Sequence, residues 1–160
     1  METSSPEPPR PPGGEDLFSL CRELNRREAR YIVVGGMAVI QHGHLRATEN
    51  IDLLLEPSQA NIERVRKALE MLPDRAVRDM DDGDLEQFTV VRVADEIIVD
   101  LMLETAGFSF ADAEGEVEHH EIEGVSIPFA SARLLLKMKQ TGREKDALDR
   151  MFLERKIAEE

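Results

Sequence analysis

Tyr31-Ile-Val-Val-Gly-Gly-Met-Ala-Val-Ile-Gln-His-Gly-His-Leu-Arg-Ala-Thr-Glu-Asn-Ile-Asp-Leu-Leu-Leu55 decides how this chain folds. Tyr31 to Val34 is a continuous apolar run of strand length. Gly35-Gly36 follows it as a turn, and Gly36 to Gln41 continues as a short helix. Two glycines after a buried strand permit positive φ and close backbone approach. A helix start points free N–H groups and a positive dipole end at such a turn, which suits an anion such as phosphate. Equally, a glycine pair lets a helix pack tightly on its strand. Ile51 to Leu55 is a second strand, stopped by Pro57. Asn50 and Asp52 are two apart and share one face of it, while Ile51 and Leu53 take the other. A polar pair opening an otherwise apolar strand needs a partner, either a metal or a cationic side chain.

Two further groups bear on that pair. Asp100 stands alone in Ile97-Ile-Val-Asp-Leu-Met-Leu103, where a lone carboxylate is costly unless it is paired. It is expected either beside Asp52 on an adjacent strand or in a salt bridge to an arginine such as Arg46 or Arg92. The second group is Lys137-Met-Lys139, followed by Arg143-Glu-Lys145-Asp146 and Asp149. Helix-borne cations are commonly solvated. At sufficient depth one of them would neutralise phosphate, with Asp146 orienting it.

The rest of the chain supplies the frame. Met1 to Gly14 is rich in Pro, Ser and Gly and is expected to be a disordered tail, or else a proline-rich ligand. Residues 15–157 are expected to form one domain. Leu17, Phe18, Leu20, Cys21 and Leu24 recur at helical spacing. Ser58 caps a helix to about Leu72, with Ile62, Val65, Leu69 and Leu72 inward. Asp79 to Asp84 is an acidic loop without the spacing of a calcium loop. Phe88 to Val93 with Ile97 to Leu103, and Val117 to Ile122 with Val125 to Phe129, read as two hairpins. Ser131 caps a helix to Lys139, Thr141-Gly142 breaks it, and a last helix runs from about Arg143 to Lys156. The order predicts an α+β fold: a mixed sheet with helices packed mainly on one side.

Composition narrows the function. The chain has 160 residues and a net charge of −13, the wrong sign for gripping duplex DNA or RNA through phosphates. Small nucleotides escorted by a metal, or a basic protein, suit it better. Cys21 is the single cysteine, so no internal disulfide forms. No apolar leader follows Met1 and no apolar run is long enough for a bilayer, so no membrane association and a cytoplasmic setting are expected. His42, His44, His119 and His120 lie at no zinc-ligand spacing and read as structural or surface residues.

Taken together, Gly35-Gly36, Arg46-Ala-Thr48-Glu-Asn50-Ile-Asp52, Asp100, Lys139 and Arg143-Glu-Lys145-Asp146 resemble the AbiEii/AbiGii toxin-like nucleotidyltransferases. More broadly, they resemble the DNA polymerase β-like superfamily. The resemblance spans about Leu17 to Leu153. It implies a minimal nucleotidyltransferase fold that moves a nucleoside monophosphate from an NTP to a hydroxyl acceptor on RNA or protein. An antitoxin-like protein is the implied partner. Mg²⁺ (or Mn²⁺), two ions in the family pattern, would bridge Asp52, Asp100 and position 50 to the triphosphate. Gly35, Gly36, Arg46, Thr48, Lys139, Arg143 and Lys145 would serve the nucleotide. Asn50 departs from the pattern, because it stands where the family has the first metal carboxylate. One negative charge is therefore missing, and Mg²⁺ affinity should fall. A weakly active enzyme, a nucleotide binder without turnover and an interaction domain of the same fold all follow from that change. Acceptor choice is expected in loops such as Val77 to Gln87.

Overall fold

The computed structural model describes residues 7–140 and 143–160, without the side chain of Lys145. In chain order the helices are α1 (Gly14–Arg26), α2 (Gly35–Gln41), α3 (Gln59–Leu69), α4 (Asp84–Gln87), α5 (Phe110–Ala113), α6 (Ala132–Met138) and α7 (Lys145–Ala158). The strands are β1 (Tyr31–Val34), β2 (Asn50–Leu55), β3 (Val91–Ala94), β4 (Ile98–Met102), β5 (Glu104–Thr105), β6 (Phe108–Ser109), β7 (Val117–Ile122) and β8 (Val125–Ala130). The architecture is the α+β mixed sheet expected from the sequence. Its strand order is β3-β4-β2-β1-β8-β7. β2 runs parallel to β4, and β1 parallel to β8; the other neighbours are antiparallel.

The apolar runs explain the middle of the sheet. All four residues of β1 are buried, as are Ile51 and Leu53 to Leu55 on β2 and Val99 and Leu101 on β4. Strands this apolar must be covered on both faces. α1 packs on α3 and β8, while α2 packs on β1, β2 and α6, and α6 on α7. The expected serine caps form: Ser58 Oγ accepts from Asn61 N and Ser131 Oγ from Leu134 N. Both hairpins form in antiparallel register.

Some local structure was not foreseen. The acidic loop contains a 3₁₀ turn at Ala76–Asp79 and the one-turn helix α4. Asp84 accepts from Asp81 N, which gives that carboxylate a turn-forming role. Asp95, in the β3–β4 turn, is buried and accepts from the backbone N–H groups of Asp74, Ala76 and Glu96. Of the stretch read as a tail, Met1 to Pro6 lies outside the described residues. Arg10, however, is held: its guanidinium pairs with Asp16 and Glu96, and its N–H donates to Glu96 O. The helix break expected at Thr141-Gly142 also falls outside the described residues. Among those described, no helix is long and apolar enough to cross a membrane.

Asn61 ties the entry of β1 to the exit of β2. Fully buried on α3, it accepts from Arg30 N at 2.6 Å and donates to Arg30 O at 2.8 Å and Glu56 O at 2.9 Å. Removing its amide takes a partner from three backbone groups, of which Arg30 O keeps Glu56 N and the other two lose their side-chain partner. Asn61→Ala should therefore cost roughly 2–4 kcal/mol, read as a lower urea midpoint at unchanged slope. A midpoint like that of the native chain would refute this role.

Candidate active site

Strand register builds the centre. Arg92 on β3 lies opposite Asp100 on β4, Asp100 opposite Asp52 on β2, and Asp52 opposite Val34 on β1. A row of polar side chains thus crosses adjacent strands of an apolar sheet. Both alternatives left open for Asp100 hold at once. It sits beside Asp52, and Arg92 clasps it in a two-pronged pair, with Nε to Oδ1 at 2.9 Å and Nη2 to Oδ2 at 3.0 Å. Asn50 completes the group by donating its amide N–H to Asp52 Oδ1 and, at 3.2 Å, to Asp100 Oδ2.

The glycine turn fits against this group. Gly35 has φ +67°, and a Cβ there would overlap the Asp52 carboxylate. A Cβ on Gly36 would lie 2.6 Å from Thr48 Oγ1 and 2.8 Å from Arg46 Nη2. The first two positions of α2 must therefore be bare so that β2 and the 46–48 segment can approach. The glycine pair serves packing, and it leaves Gly36 on the wall of the cleft.

The cleft has a volume of about 570 Å³. Of the residues expected from the sequence, it gathers Gly36, Arg46, Thr48, Asn50, Asp52, Asp100, Lys139 and Arg143; Gly35 lies behind Asp52. The Lys145 side chain is outside the described structure. Four cations and five carboxylates line the cleft, so its own charge is nearly balanced. On the helical side Asp149 is the hub. It accepts from Arg46 Nη2 at 3.1 Å, lies 3.0 Å from Arg46 Nε, and pairs with Lys139 Nζ at 3.2 Å. Lys139 also meets Asp146 at 3.2 Å, and Arg143 Nε donates to the same carboxylate at 2.8 Å. Lys139 Nζ thus donates to Asp146 and forms an ion pair with Asp149 while lining the cleft. Lys137, by contrast, pairs with Glu116 at the surface.

Glu49 also lines the cleft, which the sequence did not indicate; Arg92 was expected only as one of two arginines that could pair with Asp100, and Asp149 only as a neighbour of the Lys139–Asp146 group. Asp149 carried the signal of a carboxylate one turn after Asp146. The segment expected to select an acceptor, Val77 to Gln87, contributes nothing to the cleft; Gln59 Nε2 of α3 donates to Glu86 there instead. Three of the histidines are accounted for by neighbours. His42 Nε2 lies 2.9 Å from Ala130 O, His120 Nδ1 lies 2.9 Å from Gln41 Nε2, and His44 stacks on Phe152 with Nε2 3.5 Å from Asp149.

No group of three or more His, Cys, Asp or Glu side chains converges as a metal site among the described residues. The set present is two carboxylates and an amide. Burial, and next the neighbouring Asp100, push the Asp52 carboxyl up to about 6; Lys139, Arg92 and Asn50 pull the other way. A cation would relieve this repulsion, so the pair suits one divalent ion. The two ions of the family pattern find no third carboxylate.

No protein-family model matches the chain, and no curated protein is similar to it in sequence. Solved structures are similar in fold. The lincosamide antibiotic adenylyltransferase LnuA, in a lincomycin-bound crystal structure, superposes with TM-score 0.63 at 16% identity, over 91% of this chain and 98% of that one. An antigenic nucleotidyltransferase-like protein from Paracoccidioides brasiliensis gives 0.57 at 16% identity, over 92% and 78%. A nucleotidyltransferase-fold protein from Thermotoga maritima gives 0.53 at 15% identity, over 91% of each chain. The fold is that of the nucleotidyltransferases.

Two outcomes test this geometry. The folded-state pKa of Asp52 lies above its unfolded value, so ionising it opposes folding: its stability contribution is lost as pH rises from about 4 through 6. In the metal-free protein, Asp52→Asn should gain on the native chain between pH 4 and pH 7 by on the order of 3 kcal/mol. A variant-to-native difference flat across that range in urea unfolding contradicts it. Lys139→Met leaves buried Asp146 and Asp149 short of a cation and should cost about 3 kcal/mol or more. Lys137→Met should cost about 0–1 kcal/mol. Equal losses in thermal unfolding would remove Lys139 from the network.

Proposed function

We propose that this chain is a nucleotidyltransferase that moves a nucleoside monophosphate from an NTP to a hydroxyl acceptor. The observation that carries this reading is the register pair Asp52–Asp100, set between the glycine-led start of α2 and the cation cluster of Lys139 and Arg143. Asp52, Asp100 and the amide oxygen of Asn50 would hold Mg²⁺ or Mn²⁺. When bound, that ion would neutralise phosphate charge and polarise the reacting oxygens. Lys139 and the Arg143 guanidinium would bind phosphate oxygens. Arg46 and Thr48 act mainly as wall: Arg46 is committed to Asp149 and Ala47 O, and Thr48 Oγ1 donates to Asn50 O at 3.3 Å. In the reaction the acceptor oxygen bonds to the α-phosphorus and the α–β bridging bond breaks. Pyrophosphate leaves with the electron pair, and the hydroxyl proton passes to the carboxylate pair.

Asn50 favours a second reading, in which the chain binds nucleotide with little or no turnover. As oriented, its amide nitrogen links the two carboxylates, so a cation enters only if the amide turns its oxygen inward. A toxin-like role against RNA or protein, with an antitoxin-like partner, rests on the motif resemblance alone. The adenylyltransferase acting on an antibiotic offers a small-molecule acceptor as the analogy, and the acidic chain favours a small acceptor over RNA.

Calorimetric titration with ATP, GTP, CTP and UTP, in Mg²⁺ and then Mn²⁺, tests the proposal. Native protein should bind at least one nucleotide in a metal-dependent way. Asn50→Asp, which restores a carboxylate and removes the amide bridge, should tighten metal-dependent binding roughly tenfold or more and raise pyrophosphate release. If neither protein binds any of the four under either metal, the proposal fails. If Asn50→Asp binds but releases no pyrophosphate, the binding-only reading stands.

A further inference from the structure

A second cavity lies against the first. A groove of about 490 Å³ runs between Pro11 and Pro12, Phe18 of α1, Met37 and Ile40 of α2, and Ile122 in the β7–β8 hairpin. Arg46, Ala47 and Thr48 line both this groove and the cleft, so one short segment of chain separates them. Its outer wall is built rather than loose. Asp16 accepts two bonds from Arg10, at 2.8 and 2.7 Å, and one from Gly13 N at 2.7 Å. Arg10 N donates to Glu96 O at 2.9 Å, and the two prolines between these anchors have fixed φ.

The charge of the groove selects among occupants. Glu15 and Glu123 line it, and among the described residues neither has an ion pair or hydrogen bond. Its one cation, Arg46, is spent on Asp149. An apolar trough with two uncommitted carboxylates and no available cation fits an apolar body carrying a protonated amine. It repels an anion such as RNA.

We propose that this groove is the acceptor subsite, taking a small amphiphilic amine whose hydroxyl reaches past Thr48 toward the Asp52–Asp100 pair. The inference rests on the nucleotidyl-transfer reading above. It explains why an N-terminal proline segment is pinned by Arg10 and Asp16 beside the cleft. The bond changes are those already given: the amino alcohol's oxygen gains phosphorus, and pyrophosphate departs.

The test uses the full chain with ¹³C-methyl labels on methionine and isoleucine, and 2-amino-1-phenylethanol as probe. Saturable shifts at the Met37 and Ile40 methyls are expected, with the neutral 1-phenylethanol roughly fivefold weaker. The double variant Glu15→Gln/Glu123→Gln should lose the same factor for the amine while keeping the native affinity for ATP with Mn²⁺. ATP binding with no probe shift at Met37 or Ile40, or with amine and neutral alcohol alike, overturns the groove proposal alone. Probe shifts without binding of any nucleotide overturn the acceptor role along with the reading on which it rests.

Discussion

Two carboxylates held side by side in an apolar sheet are the constraint to which the rest of the site answers. Asp52 and Asp100 occupy one register position on neighbouring parallel strands, with fully buried leucine and valine around them. Left alone, such a pair would protonate or open the sheet. Compensation comes from both sides along the same row. Arg92 clasps Asp100 from β3, and Asn50 bridges the two carboxylates from two residues before Asp52. The backbone pays as well, since α2 must begin with a residue without a side chain where Asp52 leans against it.

The same logic organises the helical wall with the signs reversed. Lys139 and Arg46 come from segments far apart in sequence, and both converge on Asp149. Asp146 and Asp149 are almost completely buried, whereas Lys139 and Arg46 keep some exposure toward the cleft. Carboxylates at depth fix the positions of the cations that face a ligand. Buried ion pairs contribute little net stability against an apolar alternative, but losing one partner is costly. The arrangement therefore gives geometry rather than stability.

Most of the frame was legible because its signals are local. The apolar run Tyr31–Val34, the serines at 58 and 131 and the turns at Asp95 and Glu123-Gly124 each specify an element within a few residues. The center was legible in part, because a polar residue inside an apolar strand advertises a need for a partner. What the sequence withheld was which partner. Of the two arginines open to Asp100, strand register gives it Arg92, while the docking of α7 gives Arg46 to Asp149, a choice no short window contains. The tertiary bonds of Asp95 and Asn61 were hidden for the same reason: Asp95 accepts from Asp74 N and Ala76 N, and Asn61 bonds to Arg30, each far off in the sequence. Composition alone does not show the bonds that hold Arg10, which come from Asp16 and Glu96.

Asn50 follows from the same balance. An aspartate there would place a third carboxylate beside two that already repel, and the folded chain would depend on a cation to hold the strands together. The amide reverses this. It has two donors to give, one for each carboxylate, and an oxygen that serves a cation only after the group turns over. With asparagine here the carboxylate pair has two charge-assisted hydrogen bonds in place of a cation, and a metal entering between them would displace both. The two hydrogen bonds that hold the carboxylate pair together are thus the same bonds that stand in the way of a cation.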